Sequence, residues 1–494
     1  MMKKLLCMAL AAMMLALPAC SDAPVSAETD TTSAAADTTA PIKETTEVET
    51  TIPADKLGDS LDFKGKTYSA YTRVRDFFHG ELLISESNGE SLNDARYEAM
   101  VRVQERLNIT LKEATFNDND TPYNLLMAGD STYQMFNTRH VNCFNYASEG
   151  IVYKITDIPV VDPDAPWWDK EFTEYLSIGG VTYFGMGAFN LTTYDSIHML
   201  LFNKEIFNNQ QISKNHLGGK TIYETVLDGK WTYDMFRQVM TGVTTDINGD
   251  GKYDSSDTWA YLALDKHSLP STIIAGGYLM IDKDKDGKLI NNMDGNETYF
   301  NAYNKIMDML WSDNNWFPTL TVSTEEQMLM DMFKNGQGLF TDCSGGKIGT
   351  YREMEVDFGM IPYPKADEDQ EHYLSRSEYP ELFVIPLSNT ELEFTGTVLE
   401  AMASEYYRSV VPVYYEQSLK GRAARDAESS EMLDIIYGHR VFDFGDTILC
   451  SEIRDGELRR HVAANNRDLA SMLATIGARV QSKLDTLNKG FAKK

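Results

Sequence analysis

After residue 61, the pattern of apolar and polar positions switches between the period of a strand and that of a helix. Met100, Val103 and Leu107 recur at steps of three and four, which is typical of one buried helix face. The pattern around them predicts a strand, a helix, a strand and two further short elements at residues 67–72, 93–107, 109–111, 123–128 and 133–136. This order of elements indicates an α/β lobe.

The C-terminal segment predicts a long amphipathic closing helix. Its apolar side chains recur at steps of three or four, namely Leu469, Leu473, Ile476, Val480, Leu484 and Leu487. The chain has 494 residues, which exceeds what one hydrophobic core usually covers. We therefore expect two domains or lobes.

Residues 1–19 have the pattern of a secretory signal peptide, because two lysines precede an apolar run too short to span a bilayer. The segment Leu17-Pro18-Ala19-Cys20 resembles a bacterial lipobox, although Pro18 is unusual at its position. We expect lipidation of Cys20 and attachment to the extracellular face of a bacterial cell membrane. A plain signal peptide with an incidental cysteine is the alternative.

Residues 20–60 are mostly Ser, Asp, Ala, Thr, Glu and Pro, so they predict a disordered tether. The whole chain has 45 Lys and Arg against 74 Asp and Glu, a formal net charge of −29 at pH 7. This acidity argues against a nucleic-acid partner and against electrostatic docking on anionic lipid. We expect membrane contact through the lipid anchor only.

The sequence contains no sign of a catalytic residue set. A phosphate-binding loop, a hydrolase nucleophile elbow and a zinc-protease motif are all missing, and the eight histidines are scattered, which argues against zinc. We therefore expect a protein that is not an enzyme. Among so many acidic residues, a carboxylate pair for glycoside hydrolysis stays open. Cys143, Cys343 and Cys450 are isolated and predict buried thiols rather than a disulfide framework.

The sharpest local motif is a twelve-residue loop, 246–257, that predicts a structural Ca²⁺ site. Oxygen-bearing side chains fall at positions 1, 3, 5, 9 and 12, and Gly251 at position 6 permits a sharp turn. The expected ligands are Asp246, Asn248, Asp250, the backbone carbonyl of Lys252, Asp254 and Asp257. A polar surface turn is the alternative. Residues 282–287 begin similarly, but Ile290 and Met293 stand at ligand positions, so a hairpin turn is predicted there.

Several segments, in their sequence and in their order along the chain, resemble those of the family 1 extracellular solute-binding proteins of bacterial ABC importers. They are residues 179–184 (GGVTYF), 198–207 (HMLLFNKEIF), 229–236 (GKWTYDMF), 333–340 (FKNGQGLF), 357–365 (DFGMIPYPK) and 381–386 (ELFVIP). The lipobox and residues 167–169 (WWD) add to the resemblance. Trp231 in the third segment is expected in a lobe core.

The resemblance implies the two-lobe periplasmic-binding-protein-like fold of type II, an α/β fold with crossing hinge strands and a cleft that closes on its ligand. The first crossover is expected near residues 190–196 and the second just before Phe383. The N-lobe would comprise residues 61–192 and 380–410. The C-lobe would comprise residues 193–379 and 411–494.

The resemblance also implies a small ligand, usually a mono- or oligosaccharide, and delivery to the transmembrane subunits of an ABC permease by a monomer. Aromatic rings cover the apolar faces of sugars, and polar side chains bind their hydroxyls. The expected cleft residues are Arg73, Asn137, Arg139, Phe189, Asn190, Tyr194, Ser344, Glu378 and Tyr379. A surface glycan-degrading enzyme or a calcium-dependent glycan-binding adhesion protein is the alternative.

Overall fold

Residues 54–58, 61–118, 120–319 and 325–492 are described by the computed structural model and belong to one unit of the chain, Ile52–Lys494. The predicted signal peptide and Cys20 lie outside the described residues, as does the tether apart from residues 54–58. Their assignments stay predictions.

The helices and strands follow one another through two alternating α/β stretches. The first stretch contains β1 (Lys66–Arg73), α1 (Ser91–Leu107), β2 (Ile109–Phe116), α2 (Asp120–Met127), β3 (Met135–Arg139), α3 (His140–Glu149) and α4 (Lys170–Leu176). The second contains α5 (Thr192–Asp195), β4 (His198–Asn203), α6 (Lys204–Asn209), α7 (Ile212–His216), α8 (Ile222–Leu227), α9 (Tyr233–Met240), β5 (Trp259–Leu262), α10 (Asp265–Ala275), β6 (Ile281–Lys283), β7 (Leu289–Asn291), α11 (Glu297–Trp311), α12 (Glu325–Lys334), β8 (Gly338–Ser344) and β9 (Phe358–Ile361). The last part contains β10 (Ser375–Arg376), β11 (Glu381–Val384), α13 (Leu392–Ser409), α14 (Ala427–Gly438), β12 (Arg440–Val441), α15 (Arg459–Ala463) and α16 (Leu469–Ala492).

The first lobe is built on a sheet with the strand order β11-β3-β1-β2. β1 runs parallel to β2 and β3, whereas β11 is antiparallel to β3, with Glu381 opposite Arg139. The predicted helix at 93–107 is α1, and it packs against α13. It ends at Asn108, which adopts a left-handed φ of 47° and donates its backbone N–H to the carbonyl of Gln104.

The second lobe is built on a sheet with the strand order β5-β8-β4-β9. β4 is buried at every position and lies antiparallel to β8, with His198 opposite Ser344. Asn203 ends this strand and caps α6, because its side chain accepts N–H bonds from residues 205 and 206. Trp231 is fully buried and donates its indole N–H to the carbonyl of Pro362, which confirms its place in the core.

The chain crosses between the two sheets twice, and the crossing segments lie side by side. Gly185 exchanges backbone hydrogen bonds of 3.0 and 3.2 Å with Phe383, and Ile197 forms a bridge with Ser377. A Cβ on Gly185 would lie 2.2 Å from the Phe383 ring, so this close approach requires glycine. The predicted fold class, two α/β lobes joined by crossing strands, is confirmed. The exact lobe boundaries stay a prediction.

The predicted closing helix is α16, and its predicted apolar positions are buried. It contacts β7 and also α3, the helix that directly follows β3 of the first sheet. β6 and β7 form the hairpin predicted in place of a second calcium loop. Cys143, Cys343 and Cys450 are buried free thiols, as predicted. Within the described ranges, no helix combines the length and the apolar character needed to cross a membrane.

Candidate functional site

A cavity of about 170 Å³ lies where the crossing segments meet the second sheet. Arg75 and Phe78, which follow β1, form part of its wall, and the opposite wall comes from β4, α10, α12 and β8. Ligand pockets commonly measure about 300–1,000 Å³. In this conformation the cavity therefore suits one small unit rather than a long chain of units.

Two histidines lie between two carboxylates in the cavity wall. His198 begins β4 and His267 lies in the first turn of α10, and their ring centroids are 4.9 Å apart. Each Nδ1 lies 3.0 Å from an oxygen of Asp342. The Nε2 atoms of His198 and His267 lie 3.0 and 3.1 Å from the same oxygen, Oε2 of Glu378. At most 8% of any of these four side chains is exposed, so each depends on protein partners rather than on water.

Two buried arginines support Glu378 from its other oxygen. Its Oε1 accepts a 2.7 Å hydrogen bond from Arg454 and lies 3.2 Å from Arg376. Arg376 also binds both oxygens of Asp446 at 2.7 and 2.8 Å. Glu378 and Asp446 thus face two guanidinium groups, whereas Asp342 faces the two histidines.

The pKa values in the cluster follow charge pairing rather than burial. Burial alone would raise the pKa of Glu378, but Arg376 and His267 hold it well below its ordinary value. Burial likewise opposes ionisation of Asp342, yet the two histidines hold its pKa well below the usual range. Burial would lower the pKa of His198, and the charge of Asp342 outweighs that effect and raises it. Both carboxylates are thus ionised at neutral pH.

The wall contributed by the first lobe combines a cation with an aromatic ring. The guanidinium group of Arg75 lies 3.9 Å from the centroid of the Phe78 ring. Arg75 also donates to the backbone carbonyl of Tyr379 at 2.8 Å and binds Glu381 at 3.1 Å. The predicted Arg73 reaches the same oxygen of Glu381, also at 3.1 Å. Both arginines therefore hold the second crossover, and Arg75 reaches the cavity because it lies beyond the strand end.

The predicted cleft residues fall into two groups. Ser344, Glu378 and Tyr379 lie in the cavity wall. The others belong to the described residues but lie away from this wall, and they are Arg73, Asn137, Arg139, Phe189, Asn190 and Tyr194. A ligand contact from any residue of either group stays a prediction.

The second group contributes to packing and to the strand edges. Asn190 donates to the side-chain oxygen of Asn137 at 3.0 Å, and both residues are buried. The Phe189 ring lies 5.5 Å from that of Phe383. Arg139 ends β3. The carbonyl of Tyr194 accepts a hydrogen bond from Tyr437, and both residues line a separate pocket.

Sequence reasoning did not single out Arg75, His198, His267 or Asp342. His198 carried a signal, since a histidine opening an otherwise apolar buried strand needs a polar partner. No sequence signal connects it with His267, because the fold of the second lobe brings the two together. The scattering of histidines along the chain is therefore a poor guide to their distance in space.

The loop 246–257 forms a set of turns closed by its own carboxylates. The two oxygens of Asp246 accept the backbone N–H groups of Gly249 and Gly251 at 2.7 and 2.8 Å. Asp257 is fully buried and accepts the N–H groups of Ile247 and Asp254, each at 2.9 Å. Every such oxygen keeps a second lone pair. The side-chain oxygens suit a hard cation such as Ca²⁺ in type, but among the described residues no three of the loop carboxylates lie within 4.8 Å of one another, so binding the ion would require the turns to rearrange.

Solved structures of similar fold cover 84–86% of this chain. A cyclo/maltodextrin-binding protein complexed with maltotetraose is 12% identical, with a TM-score of 0.58 over 85% of this chain and 98% of that one. A sugar transporter protein from Rhizobium etli in an open conformation is 13% identical, with a TM-score of 0.57 over 86% and 99%. A family 1 extracellular solute-binding protein from Bifidobacterium longum subsp. infantis is 14% identical, with a TM-score of 0.53 over 84% and 100%.

No protein-family model matches the sequence, and no curated protein matches it. At this level of identity, the solved structures establish the fold. The chain has the two-lobe fold of extracellular solute-binding proteins, and its cavity lies at the junction of the lobes.

Proposed function

We propose that this protein captures a small solute, a mono- or oligosaccharide, between its lobes and delivers it unchanged to an ABC permease. The observation that carries the proposal is the cavity, whose wall is shared by the two lobes at the segments where the chain crosses. A ligand held there contacts both lobes and stabilises their closed arrangement. The structural neighbours that bind maltotetraose or are described as sugar transporters support a carbohydrate as the ligand.

The chemistry of the wall supports the same ligand class. Phe78 offers an aromatic face to the C–H groups of a sugar, while Arg75 and Ser344 offer donors and acceptors to its hydroxyls. The volume of about 170 Å³ favours one sugar unit as the part enclosed. A longer ligand would have to extend from the cavity or require a more open arrangement of the lobes.

A panel of mono- and oligosaccharides tests this function. The ligand is expected to raise the melting temperature of the intact protein, because it binds the folded state only. The sugar recovered after incubation should have an unchanged mass. Stabilisation by no member of a broad panel would contradict the carbohydrate assignment, and hydrolysis products would favour the glycan-degrading alternative.

We further propose that lipidated Cys20 anchors the protein to the extracellular face of the bacterial cell membrane, with residues 20–60 as tether. Cys20→Ser is expected to release the protein from the membrane fraction into the medium. Unchanged membrane association of this variant would contradict the anchor. We also infer that the loop 246–257 holds one structural Ca²⁺, since its side chains supply oxygen ligands at the spacing of a twelve-residue calcium loop.

A further inference from the structure

The two cavity histidines converge on one carboxylate oxygen in a way that a hydrogen-bond network does not require. The Nε2 atoms of His198 and His267 both lie within 3.1 Å of Oε2 of Glu378. His198 is aligned for a hydrogen bond with that oxygen. His267 is not aligned in this way, and its buried Nε2 has no hydrogen-bond partner. Only 8% of the His267 side chain is exposed. Such an atom in a cavity wall calls for a ligand.

We propose that His198, His267 and Glu378 form a binding site for one divalent transition-metal ion, for which Zn²⁺ is the probe. Zinc bonds to histidine nitrogen and carboxylate oxygen at about 2.0–2.2 Å, so tetrahedral ligand atoms lie about 3.3 Å apart. The observed 3.0 and 3.1 Å are close to this spacing, and all three ligand atoms lie within 4.8 Å of one another. Two imidazole nitrogens and one carboxylate favour this class of ion over Ca²⁺ or Mg²⁺.

The surroundings of the two histidines match those of metal ligands. Both direct Nδ1 at Asp342, at 3.0 Å in each case, so a proton held at Nδ1 leaves Nε2 free to bind a metal. Tyr363 donates to the same carboxylate. Arg376 and Arg454 occupy the other oxygen of Glu378 and leave Oε2 to the histidines.

The charges and the cavity indicate what else the ion would bind. With neutral histidines, the charges of Asp342, Glu378, Asp446, Asp455, the two arginines and a divalent ion add up to zero. The three ligand side chains line the cavity, so the open coordination positions face it. A neutral oxygen, from water or from a hydroxyl of a small molecule, would complete the coordination without changing this balance.

Calorimetric titration of the metal-free protein with Zn²⁺ tests the site. One equivalent is expected to bind, and His267→Gln is expected to weaken the affinity by more than about 100-fold, since loss of an outer-shell partner alone commonly costs 10–100-fold. The Gln amide takes the place of Nε2 and can donate to Glu378, while Asp342 keeps His198 and Tyr363 as partners, so the melting temperature should stay close to that of the parent. His198→Gln is the second variant, with the same expected loss.

Two controls separate this site from other places where zinc binds. The rings of His372 and His439 stack 3.9 Å apart, and 46% of the His372 side chain is exposed, so His372→Ala removes a rival site. Asp250→Ala disables the calcium loop. Both controls should keep the one-equivalent Zn²⁺ binding.

Co²⁺ provides a spectroscopic readout, because histidine-bound cobalt of low coordination number gives strong visible absorption. That absorption should appear in the parent and be absent from His267→Gln. Lack of saturable Zn²⁺ binding by the parent, or equal binding by both histidine variants and the parent, would overturn the proposal. The titration contains no sugar, so its failure would leave the proposed carbohydrate capture intact.

Discussion

Replacing Arg454 with Met tests whether the buried charge cluster next to the cavity stabilises the fold. This cluster comprises Arg376, Glu378, Asp446 and Arg454. The Arg454 side chain is fully buried and binds Glu378 at 2.7 Å, Asp446 at 3.2 Å and Asp455 at 2.7 Å. Methionine fills a similar space but leaves the buried Glu378 and Asp446 with Arg376 as their remaining arginine partner.

Breaking a buried ion pair by removing one partner costs about 3–5 kcal/mol. Because Arg376 still lies 3.2 Å from Glu378 and 2.7 Å from Asp446, we expect the lower end of that range, about 3 kcal/mol. The unfolding equilibrium constant should then rise by about 100-fold. The burial of these charges, rather than their number, accounts for the size of the effect.

Urea denaturation followed by far-ultraviolet circular dichroism measures this change. The matched control is Arg460→Met, because 62% of the Arg460 side chain is exposed and it pairs with Glu457 at 3.1 Å. Exposed pairs contribute about 0–1 kcal/mol, so the control should unfold close to the parent. A free energy of unfolding for Arg454→Met within about 1 kcal/mol of the parent would refute the reasoning.

The remaining predictions concern the ligand, the calcium loop and pH. Phe78→Ala should weaken sugar binding by about tenfold, because the ring contacts are lost. Phe77 is 53% exposed and lies outside the cavity wall, so Phe77→Ala should bind sugar like the parent. Equal calorimetric affinities of the two variants would contradict the cavity assignment. A calcium chelator should lower the melting temperature of the parent, and Asp250→Ala should abolish that response. If the chelator does not change the melting temperature of the parent, the loop is a polar turn that binds no metal. Burial raises the pKa of Asp443 from 3.8 to about 7. Between these two pH values the folded state keeps a proton that the unfolded state loses. The stability that the protonated carboxyl provides is therefore fully present below about pH 4 and is lost as the pH rises to about 7. Asp443→Asn should therefore gain stability relative to the parent across that window, by up to about 1.4 kcal/mol per pH unit in urea denaturation, and a pH-independent difference would contradict it.

The fold was accessible from sequence because it depends on patterns that local physics imposes. The spacing of Met100, Val103 and Leu107 predicted α1, and the apolar steps after residue 469 predicted α16. The crossing strands followed from the order of short segments rather than from periodicity. The hairpin β6–β7 followed from apolar side chains at positions where calcium would need oxygen.

The site was less accessible because its residues come together only through tertiary structure. The end of a predicted strand pointed to Ser344, and the second crossover implied by the resemblance pointed to Glu378 and Tyr379; all three lie in the cavity wall. Sequence reasoning chose Arg73 rather than Arg75, since the end of a strand cannot be placed to within two residues from sequence. It had no means of pairing His198 with His267, because β4 and α10 are separated by four helices and a strand that carry no sign of their approach.

The central claim is that the two lobes hold a small sugar and leave it chemically unchanged. Calorimetric titration of the intact protein with the sugar that stabilises it best tests this claim most directly. The account predicts saturable binding of one equivalent, followed by recovery of the same sugar from the complex. Absence of saturable heat for every sugar of the panel, or recovery of a cleaved sugar, would contradict it.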